Sequence, residues 1–402
     1  MRLKEICDYI SRGTTPDYVD ESPYKVMNQA TFSKGRLDED NIRYTSKNVR
    51  EAQIKKGDLL MASTGGGVLG KVFFFDSDDT SFYADSHVSI LRNSKGKNLM
   101  KYLYYVFSIK YDEINATMVK GSTNQTELQR NYLLAYEMDI PSLSKQQRIV
   151  DYLDAKLGKI DARIAVLVKQ QDAYARLKKS VVHHAVTRGL NPNVFLKDSG
   201  VEWIGMIPKH WELQRFKSIF TECKSVSETG QEDLLSVSEY YGVARRIDKM
   251  EDGEYESRAD SLVGYKVCKK DDLVINIMLA WKRGLGFSDF DGIVSPAYAV
   301  YRGKDIAPHY FHYLMRTDMY VAEYKRNSKG IIDSRLRMYT DRFNNIMAIV
   351  PPLSEQQAIA AYLDEKCSKI DAATENIGKQ IDALKRLKRA LINEVVTGQR
   401  AV

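Results

Sequence analysis

Apolar positions along the chain follow two different rhythms. Over residues 144–190, Ile149, Leu153, Leu157, Ile160, Ile164, Leu167, Tyr174, Leu177 and Val181 recur at spacings of three and four, with Gln171 filling one turn. Over 354–402 the same rhythm runs through Ile359, Leu363, Cys367, Ile370, Ile377, Ile381, Leu384, Leu387 and Leu391. A seam this narrow and this long predicts coiled-coil helices rather than helices half sunk in a globular core. Ser144 and Ser354, each followed three positions later by glutamine (Gln147, Gln357), predict N-caps with a capping box. At 1.5 Å per residue, 40–45 residues make a helix of roughly 60–67 Å. Two such seams in one chain predict that the helices pack on each other.

The rest of the chain has a shorter rhythm. Strands are predicted at 58–61, 71–75, 87–91, 272–276 and 298–301, and helical stretches at about 98–118 and 308–326. This is a mixed α/β pattern.

The two long segments are copies of each other. IPSLSKQQRIVDYLDAKLGKIDA (140–162) and VPPLSEQQAIAAYLDEKCSKIDA (350–372) align without a gap at a period of 210 residues, and the match continues through KQQDAYARLKK and KQIDALKRLKR. More loosely, Arg2–Ile6 aligns with Arg215–Ile219, and Lys55–Leu60 with Lys269–Val274. The chain is therefore two tandem units. Their backs are alike and share one job, whereas their fronts differ and do different jobs of one type.

Length and charge fit that picture. At 402 residues the chain is too long for one core. A net charge of +7 permits an anionic partner without demanding one. No apolar run is long enough to cross a membrane and the N-terminus lacks a secretory pattern, so a cytoplasmic protein is expected. Cys7, Cys223, Cys268 and Cys367 are scattered, and His183-His184 and His309/His312 lack a third ligand, so no metal site is expected. Gly65–Gly70 matches G-x-G-x-x-G but precedes a strand, and is read as a turn. No phosphate-binding G-x-x-x-x-G-K-[ST] loop is present.

The combination resembles the specificity (S) subunit of type I restriction–modification systems. The residues that carry the resemblance are Pro141, Leu143, Ser144, Gln146, Gln147, Ile149, Tyr152, Leu153 and Asp154. Their second copy is Pro351-Pro352-Leu353-Ser354-Glu355-Gln356-Gln357 with Ile359, Tyr362, Leu363 and Asp364. The central segment 197–212 and Asp291–Tyr298 are similar as well. The second copy keeps the full PPLxEQ signature. The first has Ser142 and Lys145 in place of its Pro and Glu.

The resemblance implies an α/β (mixed α+β) fold. Two globular target recognition domains (1–143 and 211–353) would be separated by two long antiparallel coiled-coil helices (144–190 and 354–402), in a pseudo-two-fold tandem repeat with a linker at 191–210. Each domain would read one half of a bipartite double-stranded DNA target. The helices would set the spacer and dock two methylating (M) subunits, through which motor-nuclease (R) subunits join. Catalysis would belong to those partners, with S-adenosylmethionine, ATP and magnesium expected on them and no cofactor on this chain. Other classes are a scaffold that binds only proteins, and a methyltransferase or nuclease acting alone. The missing cofactor and metal motifs argue against the second.

Base-reading candidates lie in the divergent fronts, because Asn and Gln can bond adenine in bidentate fashion and basic side chains hold phosphate. In the first front they are Thr14, Thr15, Asn28, Gln29, Ser122, Thr123, Asn124 and Gln125. In the second they are Ser236, Ser238, Tyr241, Arg245, Arg246, Lys282, Arg283, Arg335 and Arg337. Gln146, Gln147, Tyr152, Leu153, Asp154, Gln356, Gln357, Tyr362, Leu363 and Asp364 form the repeated signature, read as partner-binding. A basic helix face (Lys169, Arg176, Lys178, Lys179; Lys379, Lys385, Arg386, Lys388, Arg389) faces DNA, partners or solvent.

Overall fold

In a computed structural model of the chain, residues 1–47, 49–96, 99–120, 126–249 and 261–402 are described. They form two compact units. Unit 1 is Met1–Val168 with Gly378–Val402, and unit 2 is Lys169–Ile377. The two long helices, Leu143–Arg188 and Leu353–Val396, each contribute a segment to both units.

Both units are built on the same antiparallel four-stranded sheet. In unit 1 the spatial order is Tyr9–Arg12, Val88–Arg92, Leu59–Ala62, Val72–Phe74. In unit 2 it is Phe220–Cys223, Tyr298–Gly303, Leu273–Asn276, Leu285–Phe287. The predicted strands at 58–61, 71–75, 87–91, 272–276 and 298–301 are all present within a residue or two. The loose N-terminal alignment also holds. Leu3–Ile6 and Phe216–Ile219 are matching four-residue helices that bury Leu3 with Ile6 and Phe216 with Ile219. Each stretch predicted as a single helix is two, Met100–Ser108 with Tyr111–Thr117 and Pro308–Met315 with Asp318–Asn327.

One turn shows how different residues meet the same demand. Before the second-listed inner strand of each sheet, the aspartate after Gly57 or Asp271 accepts the backbone N–H three residues back, Lys55 to Asp58 at 2.7 Å and Lys269 to Asp272 at 2.9 Å. The residue between must be left-handed, and it is Gly57 at φ 88° in unit 1 and Asp271 at φ 67° in unit 2. The carboxylate then takes a two-bond arginine from the neighbouring strand. Arg92 reaches Asp58 at 2.6 and 2.7 Å, and Arg302 reaches Asp272 at 2.9 and 3.0 Å. Hydrogen bonding to the carboxylate holds both guanidiniums above their ordinary pKa.

Away from this sheet the units part company. Unit 1 adds a second four-stranded sheet, ordered Tyr18–Val19, Arg43–Thr45, Lys25–Met27, Phe82–Ala84. Unit 2 has two hairpin-like pairs instead, Leu235–Ser238 with Gly242–Arg245 and Lys266–Cys268 with Gly292–Val294. The structural difference between the units thus lies in the layer beyond the shared sheet.

Within each unit, one segment of each long helix closes the core. In unit 2, Ala185 and Val186 join Ile359, Ala360 and Leu363 around Trp211, Tyr310 and Phe311. In unit 1, Ile149, Leu153 and Leu157 join Leu391, Ile392 and Val395 beneath Leu3, Leu103 and Phe107. The paired segments run antiparallel. Lys178 meets Asp371 while Gln171 meets Thr374, and Asp161 meets Lys388.

Three details correct the sequence reading of these helices. Both begin before Ser144 and Ser354. Ser142 Oγ accepts the Lys145 N–H at 3.4 Å, and Pro352 O accepts the N–H groups of Glu355 and Gln356. Gln147 does not close a capping box but bonds Asp151 one turn on, at 2.8 Å. Leu177 and Leu387 are half exposed, not in the seam. The inward position four residues after Tyr174 is Lys178, whose stem lies inward while its ammonium reaches Asp371 (in the repeat, Lys388 and Asp161). Gly65–Gly70 is a turn between Leu59–Ala62 and Val72–Phe74, as expected, with Gly65, Gly67 and Gly70 all at positive φ.

Candidate nucleic-acid interface

The seam between each sheet-and-helix body and its long-helix segment comes first, because it holds everything else in place. In unit 1 the Leu99 N–H donates to Gln146 Oε1 at 2.9 Å, and Gln146 Nε2 donates to Pro141 O at 2.9 Å. Two turns along, Asp154 accepts the Tyr105 hydroxyl and pairs with Lys101 at 2.7 Å. Unit 2 repeats the set. Ala307 N–H donates to Gln356 Oε1 at 2.9 Å, Gln356 Nε2 to Pro351 O at 2.8 Å, and Tyr313 OH to Asp364 at 2.8 Å. His309 takes the place of Lys101, at 3.1 Å from Asp364. Leu99 and Ala307 are the N-caps of the short helices Met100–Ser108 and Pro308–Met315, whose first N–H groups otherwise lack partners. Burial, then the bond to aspartate, pushes the Tyr105 and Tyr313 hydroxyls well above their usual range, so both remain donors.

The repeated signature therefore divides. Gln146, Gln356, Leu153 and Leu363 are buried, and Asp154 and Asp364 are engaged within their own unit. Gln147, Gln357, Tyr152 and Tyr362 face outward or lie half-buried. Lys156 sits over the Tyr152 ring and Lys366 over the Tyr362 ring, each at 5.7 Å, so the outward patch is also repeated.

In unit 1 the candidates Thr14, Asn28 and Gln29 come to one edge. Thr14 bridges Asp85, its N–H donating to Ala84 O at 3.2 Å, and the Asp85 N–H donates to Met27 O at 3.1 Å. Thr15 is exposed beside them. Asn28 caps the short helix Gln29–Phe32, its Oδ1 accepting from Ala30 and Thr31 at 2.8 and 3.2 Å. Gln29 Oε1 is buried with no partner among the described residues, and its Nε2 abuts Gly65, where an added Cβ would lie 3.2 Å away. Sequence reading missed Thr64 and His87, bonded at 2.7 Å on this edge, and Glu127, which bridges Thr64 and pairs with Arg12. Ser122, Thr123, Asn124 and Gln125 lie outside the described residues.

In unit 2, Ser236, Ser238 and Tyr241 lie on the hairpin Leu235–Ser238/Gly242–Arg245, with Tyr240 strongly exposed at its tip. Arg245 lies over the Phe290 ring at 4.6 Å and pairs with Asp233 at 3.2 Å, and Arg246 is half-buried next to it. Lys282 stacks on Trp281 at 5.0 Å, and Lys325 approaches the same ring at 5.4 Å. Arg283 bonds Asp318 and the Arg316 carbonyl. Arg335 is exposed on the loop after Asn327, and Arg337 pairs back onto Lys329 through the main chain.

Arg316, absent from the sequence candidates, ties two of these segments together. Its guanidinium donates to the carbonyls of Glu239 and Tyr240 at 2.8 and 3.1 Å, and to those of Arg283 and Leu285 at 2.7 Å each. Burial and the nearby Arg283 lower its pKa to about 10. It thereby holds the Tyr240 hairpin against the Lys282–Arg283 turn. The result is a polar and aromatic hairpin next to a turn rich in basic side chains, which suits contact with both base edges and phosphates.

The linker is also docked on unit 2. Leu196–Asp198 pairs with Met206–Pro208, Trp211 is buried, and Glu355 accepts from Trp211 Nε1 at 3.0 Å and meets His210 Nε2 at 2.6 Å. Trp211 packs on Gly189, which sits at φ 78° and where an added Cβ would lie 3.1 Å from the indole ring. The repeat position of Glu355 in unit 1 is Lys145.

These features define a tandem-repeat protein with two like scaffolds and two unlike faces. Residues 1–166 match the family model of the Type I restriction modification DNA specificity domain. Over 369 residues the chain is 21% identical to the Type I restriction enzyme MjaVIII specificity subunit of Methanocaldococcus jannaschii, covering 87% of this chain and 80% of that one. A chain solved in work on complex assembly and conformational transition of the type I R-M system aligns with a TM-score of 0.68 at 15% identity, covering 98% of this chain and 96% of that one. The HsdS subunit from Thermoanaerobacter tengcongensis aligns with a TM-score of 0.49 at 15% identity, over 100% of this chain and 96% of its own. Only the former of these two structures carries the likeness of fold. The first unit is thus similar to the type I restriction modification DNA specificity domain, and the whole chain is similar in length and fold to a specificity subunit. Among the described residues, no helix is long and apolar enough to cross a membrane.

Proposed function

We propose that this chain is the DNA-recognition subunit of a type I restriction–modification complex, with each unit reading one half of a bipartite duplex target. The observation that carries this reading is the pattern of likeness. The shared sheet, the seam and the long helices repeat, whereas the layer beyond the sheet does not. Like scaffolds with different faces suit the reading of two different half-sites. Because the faces differ, the target need not be palindromic.

The long helices act as the spacer between half-sites. The repeated outward patch of Gln147, Tyr152 and Lys156, and of Gln357, Tyr362 and Lys366, suits two copies of one partner, the methylating subunit, through which motor-nuclease subunits join. In this reading the chain does no chemistry itself, and S-adenosylmethionine, ATP and magnesium belong to the partners. The reading is tested by selecting duplexes from a random pool with the chain assembled on its methylating subunits. Two short motifs at a fixed separation are expected. A single uninterrupted motif, or no enrichment, would contradict it.

A further inference from the structure

Each body grips its long-helix segment at two points, and the grip is the same in both units although the faces are not. Gln146 and Asp154 are eight positions apart on the first long helix, as are Gln356 and Asp364 on the second, a separation of about 12 Å at helical rise. Their partners, Leu99 and Tyr105 or Ala307 and Tyr313, stand six positions apart on the short helix. One contact alone leaves a pivot. Two contacts separated along both helices fix the crossing angle.

The Asp154 and Asp364 side chains are 37% and 47% exposed. Pairs so open to water contribute little stability. They are nonetheless reproduced with a different second partner, Lys101 in one unit and His309 in the other. What is kept is the aspartate and its tyrosine hydroxyl, that is, geometry rather than charge.

We infer that Asp154 and Asp364, together with Gln146 and Gln356, are positioning residues that set the angle of each reading body on its long-helix segment, and so set which spacer length the protein accepts. This inference rests on the bipartite reading proposed above. The short helix is part of the same apolar core as the shared sheet, with Leu103 and Phe107 packed with Leu59 and Leu91 in unit 1, and Phe311 and Leu314 with Leu273 and Tyr301 in unit 2. A change of angle at the seam therefore carries the whole reading face with it.

The test uses the chain assembled with its methylating subunits. Methylation rates are measured on duplexes with the native spacer and with spacers one base pair longer or shorter. For the double variant Asp154→Ala/Asp364→Ala, the preference for the native spacer is expected to fall about tenfold, equivalent to roughly 1.4 kcal/mol, while the base preferences within each half-site stay as in the parent. Asp154→Asn/Asp364→Asn keeps an acceptor for each tyrosine and is expected to restore most of the preference. Tyr105→Phe/Tyr313→Phe removes only two hydroxyls, and serves if the alanine variant does not fold. An unchanged spacer preference in a folded variant overturns the inference, as does a change in half-site base preference. A parent complex that shows no spacer dependence at all sinks the bipartite reading itself, and the inference with it.

Discussion

Lys178 bonds both oxygens of Asp371 at 2.7 Å within unit 2, and the repeat places the same bond in unit 1, where Lys388 meets both oxygens of Asp161 at 2.8 and 2.7 Å. Lys388 follows Lys178 by 210 positions, and Asp371 follows Asp161 by the same number. One pairing rule therefore describes the helix segments in both units. These bonds are solvent-exposed, so Lys178→Ala should cost no more than about 1 kcal/mol. Leu363 lies on the helix of Asp371, Leu353–Val396, and is fully buried, and Leu363→Ala should cost about 2–5 kcal/mol. Urea midpoints of the two variants check the contrast.

The two aspartate–arginine pairs should respond differently to the same mutation. Asp58 and Arg92 are 1% and 17% exposed, whereas Arg302 facing Asp272 is 58% exposed. Asp58→Ala strands a largely buried cation and is expected to cost about 3–5 kcal/mol. Asp272→Ala leaves Arg302 free to turn to water and should cost clearly less. Denaturant unfolding followed by probes local to each unit separates the two.

Asp271 occupies the left-handed position that Gly57 fills in unit 1. Asp271→Gly should stabilise unit 2 by up to about 1 kcal/mol, offset in part by the extra freedom of glycine in the unfolded chain. A lower melting temperature for this variant would show that the aspartate side chain serves a role the turn does not explain.

His312 packs against Gly242 and Gly286, with Arg316, His309 and Asp364 around it. Burial, and then Arg316, lower its pKa from 6.5 to about 4. The folded state therefore prefers the neutral ring. The stability this contributes is complete above the unfolded pKa near 6.5 and is lost as pH falls towards 4. Unit 2 should lose stability over that window, and His312→Gln should flatten the loss. Thermal melts from pH 7 to 4 check both.

In the proposed reading, Lys282, which stacks on Trp281, and the exposed Arg335 meet phosphate rather than bases. In the assembled complex, Lys282→Ala and Arg335→Ala should each reduce the slope of log K against log salt by about 1, with the target sequence unchanged. Unaltered slopes would remove them from the interface.

The fold was legible where periodicity carries it. A 3.6-residue rhythm over some 45 positions fixed the long helices, and an ungapped repeat fixed the two units. Three features escaped because they depend on tertiary partners. Gln146 and Gln356 look like surface glutamines until the N–H of Leu99 or Ala307 is brought to them. Leu177 reads as a seam residue because nothing in the local pattern shows that the stem of Lys178 takes its place. Arg316 is a lone cation at a helix end, and only the approach of the Glu239–Tyr240 and Arg283–Leu285 backbones gives it four acceptors. Among the candidate contacts, Asn28 also has a local task, its Oδ1 capping a short helix. Asparagine before a helix start is an N-cap signal that could have been read from the sequence.

The most direct test of the account is to map methylated positions across the genome of a host carrying the chain with its methylating subunits, and again with Ser236→Ala, Ser238→Ala and Tyr241→Phe introduced into the unit 2 hairpin. The account predicts a two-part motif with a fixed unread gap, and relaxed stringency in one part only when the hairpin is altered. An uninterrupted motif, or changes in both parts from substitutions in one unit, would contradict it.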